Sequence, residues 1–94
     1  MPHHFLVHQA GDSVGVSVTD LEPDTVVSGR YQDDHRSAEV SVLDAIPLGH
    51  KIALAELSQG DPVIEYGVMI GRATQSITPG QHVHVHNLKG ERWQ

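Results

Sequence analysis

The chain has 94 residues, no cysteine, and a formal charge of −6 with histidine neutral. This length makes one domain, residues 1–94, and without cysteine there is no disulfide scaffold, thiolate zinc site or thiol nucleophile. The acidic balance argues against nucleic-acid binding, which needs a basic surface to release counterions. No apolar run approaches the roughly 20 residues of a membrane span. Met1-Pro2-His3-His4-Phe5 has neither the basic nor the apolar region of a signal peptide. The expectation is a cytoplasmic protein with no membrane partner.

Taken in chain order, the elements are short and extended. Phe5-Leu6-Val7 reads as a first strand. Val14, Val16 and Val18 alternate with Gly15 and Ser17, the pattern of a half-buried strand with its valines on one face. Residues 28–37 (SGRYQDDHRS) are polar and read as a mobile loop. Ala38, Val40 and Val42 then alternate with outward Glu39 and Ser41. The stretch from Ala53 to Gln59 is expected to form one short helix, stopped by Gly60. Val63 to Tyr66 and His82 to His86 complete the strands. Nine glycines and five prolines punctuate the set, so the fold class is mainly β.

A weak motif recurs: an aliphatic residue, then Gly or Asp three positions on, then Val or Ile after three more. It occurs at Leu21-Asp24-Val27, Ile46-Gly49-Ile52, Leu57-Gly60-Val63 and Ile77-Gly80-Val83. The pattern suits a turn, a residue tolerant of positive φ, and entry into a strand. The irregular spacing of the four starts excludes a solenoid and leaves a compact domain of turn-then-strand units.

Eight histidines are an unusual number. On an extended strand His82, His84 and His86 share one face, with neighbours about 6.7 Å apart. Two such imidazoles can converge on a metal ion. A third ligand must come from elsewhere, with His8, His50 or a partner chain as sources. A solvated or interface strand whose histidines bind no metal is the alternative. No nucleophile elbow, phosphate loop or HExxH motif is present, so a site shared with a larger protein is expected. Trp93, beside Arg92 near the chain end, reads either as a docking anchor or as a residue folded back on its own domain.

Four stretches together resemble the SAF-type (β-clip) domain of the altronate and galactarate dehydratase family. They are Val7-His8 with Asp12-Ser13-Val14-Gly15-Val16; Ile46 to Leu54 (IPLGHKIAL); Val63 to Gly67 with Ile70-Gly71-Arg72-Ala73; and Gly80 to Asn87 (GQHVHVHN). They span residues 5–87, leaving 88–94 as a tail, and match the altronate and sulfolactate branches best. Glu65 departs from the pattern, standing where the family usually has a basic residue.

The resemblance implies a SAF-like β-clip fold and a lyase. Such an enzyme removes the proton α to a carboxylate and expels a β leaving group, sulfite from 3-sulfolactate or water from a sugar acid. This chain would be its small subunit, inactive alone, beside a large catalytic (beta) subunit and a small anionic 2-hydroxy acid substrate. Ending soon after Asn87, where a fused dehydratase continues, fits a separate subunit. A divalent metal (iron, manganese or magnesium) would be held mainly by the large subunit. The catalytic candidates are His8 and His50. Lys51 would bind the substrate's carboxylate or sulfonate, with Asp12 helping to hold it, orienting His8 or capping a turn. His84 and His86 are candidate metal ligands, and His82 and Trp93 candidate interface residues. A non-catalytic β-clip binding module and a histidine-rich metal-binding protein are the alternatives from other classes.

Overall fold

The computed structural model describes residues 3–33 and 36–90, which form nine strands and no helix. They are β1 (Phe5–Val7), β2 (Val14–Ser17), β3 (Val26–Tyr31), β4 (Ser37–Ser41), β5 (Lys51–Ala53), β6 (Pro62–Glu65), β7 (Val68–Ala73), β8 (His82–Val83) and β9 (Leu88–Gly90). A six-stranded sheet runs in the order β4-β3-β1-β2-β5-β8, and a three-stranded one in the order β6-β7-β9. β1 pairs parallel with β3, and the other neighbours are antiparallel.

The recurring motif organises the fold. Its central residues Asp24, Gly49, Gly60 and Gly80 all have positive φ, from 66° to 96°. That left-handed residue reverses the chain after each leading aliphatic, which is why Gly fills three of the positions and Asp, one of the residues that tolerate the region, the fourth. The leading residues pair across the motifs: Leu21 bridges Ile46, and Leu57 bridges Ile77. All eight motif aliphatics are buried. The first two motifs close one apolar cluster with Phe5, Val7 and Val42. The second two close another with Val14, Ala53 and Ala73. Among the described residues, fourteen hydrophobic side chains are thus packed without a helix.

Several local expectations are corrected. Residues 53–59 are not helical. Ala53 ends β5, the Leu54 amide donates to Ser13 O at 2.8 Å, and Leu57 and Ile77 exchange amide bonds. Non-local pairing takes the backbone groups a helix turn would use. In the segment 28–37, Ser28–Tyr31 belong to β3 rather than to a loop, because Gly29 lies directly under the Phe5 ring, where a Cβ would clash. In β2 the valines do not all face inward. Ser17 is buried, with its hydroxyl donating to Pro47 O and His50 O, while Val18 lies beyond the strand and is exposed. The His82–His86 strand ends at Val83, and residues 84–87 turn. The strand between Ala38 and Val42 faces as expected, with Glu39 and Ser41 outward.

Candidate functional site

The first part of the site forms where the two sheets meet. The Ser13 amide donates to Ile64 O, and the Ser13 hydroxyl accepts the Ile64 amide. Beside this link, Tyr66 and Gly67 form the two-residue turn of the β6–β7 hairpin, both at positive φ (59° and 73°). Their amides both donate to the buried Asp12 carboxylate, Tyr66 to Oδ2 and Gly67 to Oδ1, each at 3.0 Å. A primed turn matches strand twist but leaves its amides unpaired, and Asp12 satisfies them. The Tyr66 ring stacks on His8 with centroids 3.5 Å apart.

His8 follows β1, and its Nδ1 bonds Gln32 Oε1 at 3.0 Å. With a carbonyl acceptor there, Nδ1 carries the proton and Nε2 is the position where a proton can be added or removed. His8 Nε2 is buried with no hydrogen-bond partner among the described residues, 3.9 Å from Glu65 Oε2. The other Glu65 oxygen lies 3.8 Å from Lys51 Nζ. Glu65 is only 6% exposed, so one buried carboxylate stands between an imidazole and an ammonium. Lys51 and Glu65 open onto a cleft of about 280 Å³ whose apolar wall includes Ile70, Val83 and Leu88, with His84 at its border. This is room for a small organic anion rather than a large cofactor.

The second part is a histidine cluster on the β5–β8 edge. Ile52 pairs with His82, which brings His50, just before β5, against the His82 ring. His50 Nδ1 and His82 Nε2 lie 2.9 Å apart. The His84 ring stacks on His50 at 4.5 Å, and the His86 ring is 5.3 Å from that of His82. One nitrogen from each of His50, His82 and His84 falls within 4.8 Å of the other two. Burial, and then the neighbouring His50, His86 and His84, lower the His82 pKa below its usual 6.5, with Asp44 opposing. A neutral ring is the form that ligates metals.

The expected site residues fall into these two groups. His8, Asp12 and Lys51 gather around Glu65 and Tyr66. His50 joins His82 and His84, while exposed His86 touches only the margin of that cluster. Trp93 lies outside the described residues. Asp12 makes its described contacts with backbone amides, and its side chain is buried away from the cleft lining. Sequence reasoning missed the part played by Glu65. The signal was an acid in register with Val63, two residues along an inward-facing strand. It also missed Asn87, whose side chain accepts the His84 amide at 2.9 Å and donates to His82 O at 2.8 Å.

Residues 3–91 match the altronate/galactarate dehydratase SAF domain. The chain is 48% identical over 90 residues to the (2R)-sulfolactate sulfo-lyase subunit alpha of Chromohalobacter salexigens, covering 95% of this chain and 96% of that one. It is 50% identical over 48 residues to the subunit of the same name from Paracoccus pantotrophus, covering 51% of this chain and 72% of that one. It is also 38% identical over 85 residues to the altronate dehydratase of Escherichia coli, covering 90% of this chain but only 16% of that much longer protein. No helix among the described residues is long and apolar enough to cross a membrane. A mainly β domain with no helix among the described residues, a match covering almost the whole chain and relatives of 48% and 38% identity agree: the chain belongs to the altronate/galactarate dehydratase SAF-domain family.

Proposed function

We propose that this chain is the small subunit of a lyase that eliminates sulfite from 3-sulfolactate, acting beside a large catalytic subunit. Its likeness over 95% of its length to a relative named as subunit alpha of such an enzyme carries the reading. The elimination breaks the C–H bond next to the carboxylate and makes a carbon–carbon double bond. The carbon–sulfur bond breaks with its electron pair leaving on sulfite. The enol so formed takes up a proton to give pyruvate.

The cleft offers groups suited to parts of that chemistry. Lys51 would hold a carboxylate or sulfonate with its ammonium, which lies 3.8 Å from Glu65 in the same cleft lining. His8 Nε2 is a site for a transferable proton, steered by Gln32 on Nδ1 and by the Tyr66 ring. Asp12 acts as a positioning residue through the Tyr66-Gly67 turn. A divalent metal in the assembled enzyme would polarise the carboxylate and enolate oxygens, with most of its ligands assigned to the large subunit.

The likeness to altronate dehydratase supports a second reading, in which water leaves from a sugar acid. Co-purification from the native lysate tests both. A large lyase chain in the eluate with release of sulfite and pyruvate from 3-sulfolactate is the expected result. A large partner that dehydrates altronate and releases no sulfite would establish the second reading. No partner at all would refute the shared-site idea. In the reconstituted complex, His8→Ala is expected to slow turnover by about 10²–10⁴-fold, the usual contribution of a positioned acid–base group.

A further inference from the structure

We propose that His50, His82 and His84 form a three-imidazole site on this subunit alone that binds a borderline transition-metal ion such as zinc, iron(II) or cobalt(II). The convergence comes from the fold. The antiparallel register of β5 with β8, Lys51 with Val83 and Ile52 with His82, continues one step to face His50 with His84, and His82, two residues before His84, lies against the same His50 ring. Two nitrogens binding one tetrahedral ion at 2.0–2.1 Å lie about 3.3 Å apart. Here His50 Nδ1 and His82 Nε2 are hydrogen-bonded at 2.9 Å, and one nitrogen from each of the three rings falls within 4.8 Å of the others. Small rotations of the rings, His50 and His82 half-buried and His84 exposed, would open that hydrogen bond to ligand spacing.

The backbone around the ligands is held independently of any ion. The His50 amide donates to Pro47 O at 3.0 Å, and the His82 amide donates to Asp44 Oδ2 at 3.0 Å. Asn87, 2% exposed, clamps the chain between His82 and His84 with both ends of its amide. Such outer support orients ligands and raises affinity.

The donor set also selects the metal. Three neutral imidazoles suit zinc, iron, copper or nickel, whereas magnesium, calcium and manganese prefer oxygen ligands. Three protein ligands leave a coordination position free, as catalytic metal sites do. His84 also borders the cleft that holds Lys51 and Glu65, so the site adjoins the proposed anion pocket. The inference does not depend on which reaction the complex performs.

The test is a titration of the purified 94-residue chain with Co²⁺, read by visible absorption, with calorimetry of Zn²⁺ and displacement of one ion by the other. One saturable ion per chain is expected, undisturbed by a large excess of Mg²⁺. His84→Ala removes an exposed ligand without touching the core and is expected to weaken binding by at least about 100-fold. His50→Ala and His50→Gln should do the same while thermal unfolding of the metal-free chain stays near that of the parent. His86→Ala and His8→Ala should leave affinity unchanged. Absence of saturable binding, or binding that survives His84→Ala, would overturn the proposal. Because no turnover is measured, failure of the lyase reading and failure of this site are separate results.

Discussion

Replacing Asp12 with alanine tests whether one buried carboxylate holds the hairpin that frames the cleft. The substitution removes both oxygens that accept the Tyr66 and Gly67 amides. A hydrogen bond to a charged acceptor contributes about 1.5–3 kcal/mol net. The two amides sit in a turn whose Tyr66 side chain is 61% exposed, so water can reach them in the variant. The two terms therefore do not add in full, and about 2–3 kcal/mol is expected. A domain of this size carries about 5–15 kcal/mol in all, and each kcal/mol moves Tm by about 4–8 °C. Asp12→Ala should therefore melt about 10–20 °C below the parent, with Asp12→Asn, which keeps one carbonyl acceptor, falling between them. Urea unfolding followed by circular dichroism gives the free energy directly. A loss below about 0.5 kcal/mol would refute the reasoning, because the left-handed Tyr66-Gly67 turn would then hold itself.

Three further predictions follow from the same geometry. Gly60 and Gly80 share a left-handed φ, but a Cβ at Gly60 meets nothing within 4 Å, whereas one at Gly80 runs into Ser41 O. Gly60→Ala should cost only the backbone strain, about 1–2 kcal/mol, and Gly80→Ala clearly more; equal costs on denaturant unfolding would show that the strand 4 backbone yields. Lys51→Met in the reconstituted complex should raise KM for the anionic substrate by roughly 10–100-fold, the equivalent of one charge-assisted hydrogen bond, and an unchanged KM would remove Lys51 from substrate binding. Asn87→Ala should lose about 1–3 kcal/mol by stranding buried backbone groups, and should weaken cobalt binding about 10–100-fold through loss of outer support. Both are readable on the isolated chain.

How much of this was legible in the sequence depended on the range of the interactions involved. The aliphatic–Gly/Asp–aliphatic motif was readable because each copy is local. A left-handed residue leaves a compositional trace, and the structure puts all four central residues there. Residues 53–59 misled because Ala53, Leu54, Ala55, Glu56 and Leu57 have good helix propensity. Their partners, Ser13 and Ile77, are 41 and 20 residues away from Leu54 and Leu57 and exert no local signal. The valine alternation in β2 failed at Val18 for a related reason. Ser17 is buried by a hydroxyl bonded to the Pro47 and His50 carbonyls, a satisfaction that hydrophobicity patterns do not register. The histidines were visible as a pattern, with His50 among the sources of a third ligand, but what chose His50 over His8 was not. That needed the β5–β8 register, Lys51 with Val83 and Ile52 with His82, a pairing about 30 residues apart that leaves no local trace.

The two parts of the site are joined through β5, only three residues long. Ile52 packs in the first apolar cluster and Ala53 in the second, both fully buried, so this strand is held by both halves of the core. Lys51, at its start, faces Glu65 and the cleft, while His50, one residue earlier, faces His82 and His84. A strand gripped on both faces has little freedom to slide, because a shift of one residue would carry Ile52 out of its cluster and turn Lys51 to the opposite side. The rigidity that a 94-residue domain can supply is therefore concentrated where an ammonium and an imidazole stand adjacent but face different neighbours. Exposed Tyr66, Val68 and Val85 lie around this same region, on the hairpin and on the turn after β8. On the reading proposed above, a partner that closed over the cleft would exclude water from Lys51 and Glu65, whose interaction strengthens as the local dielectric falls.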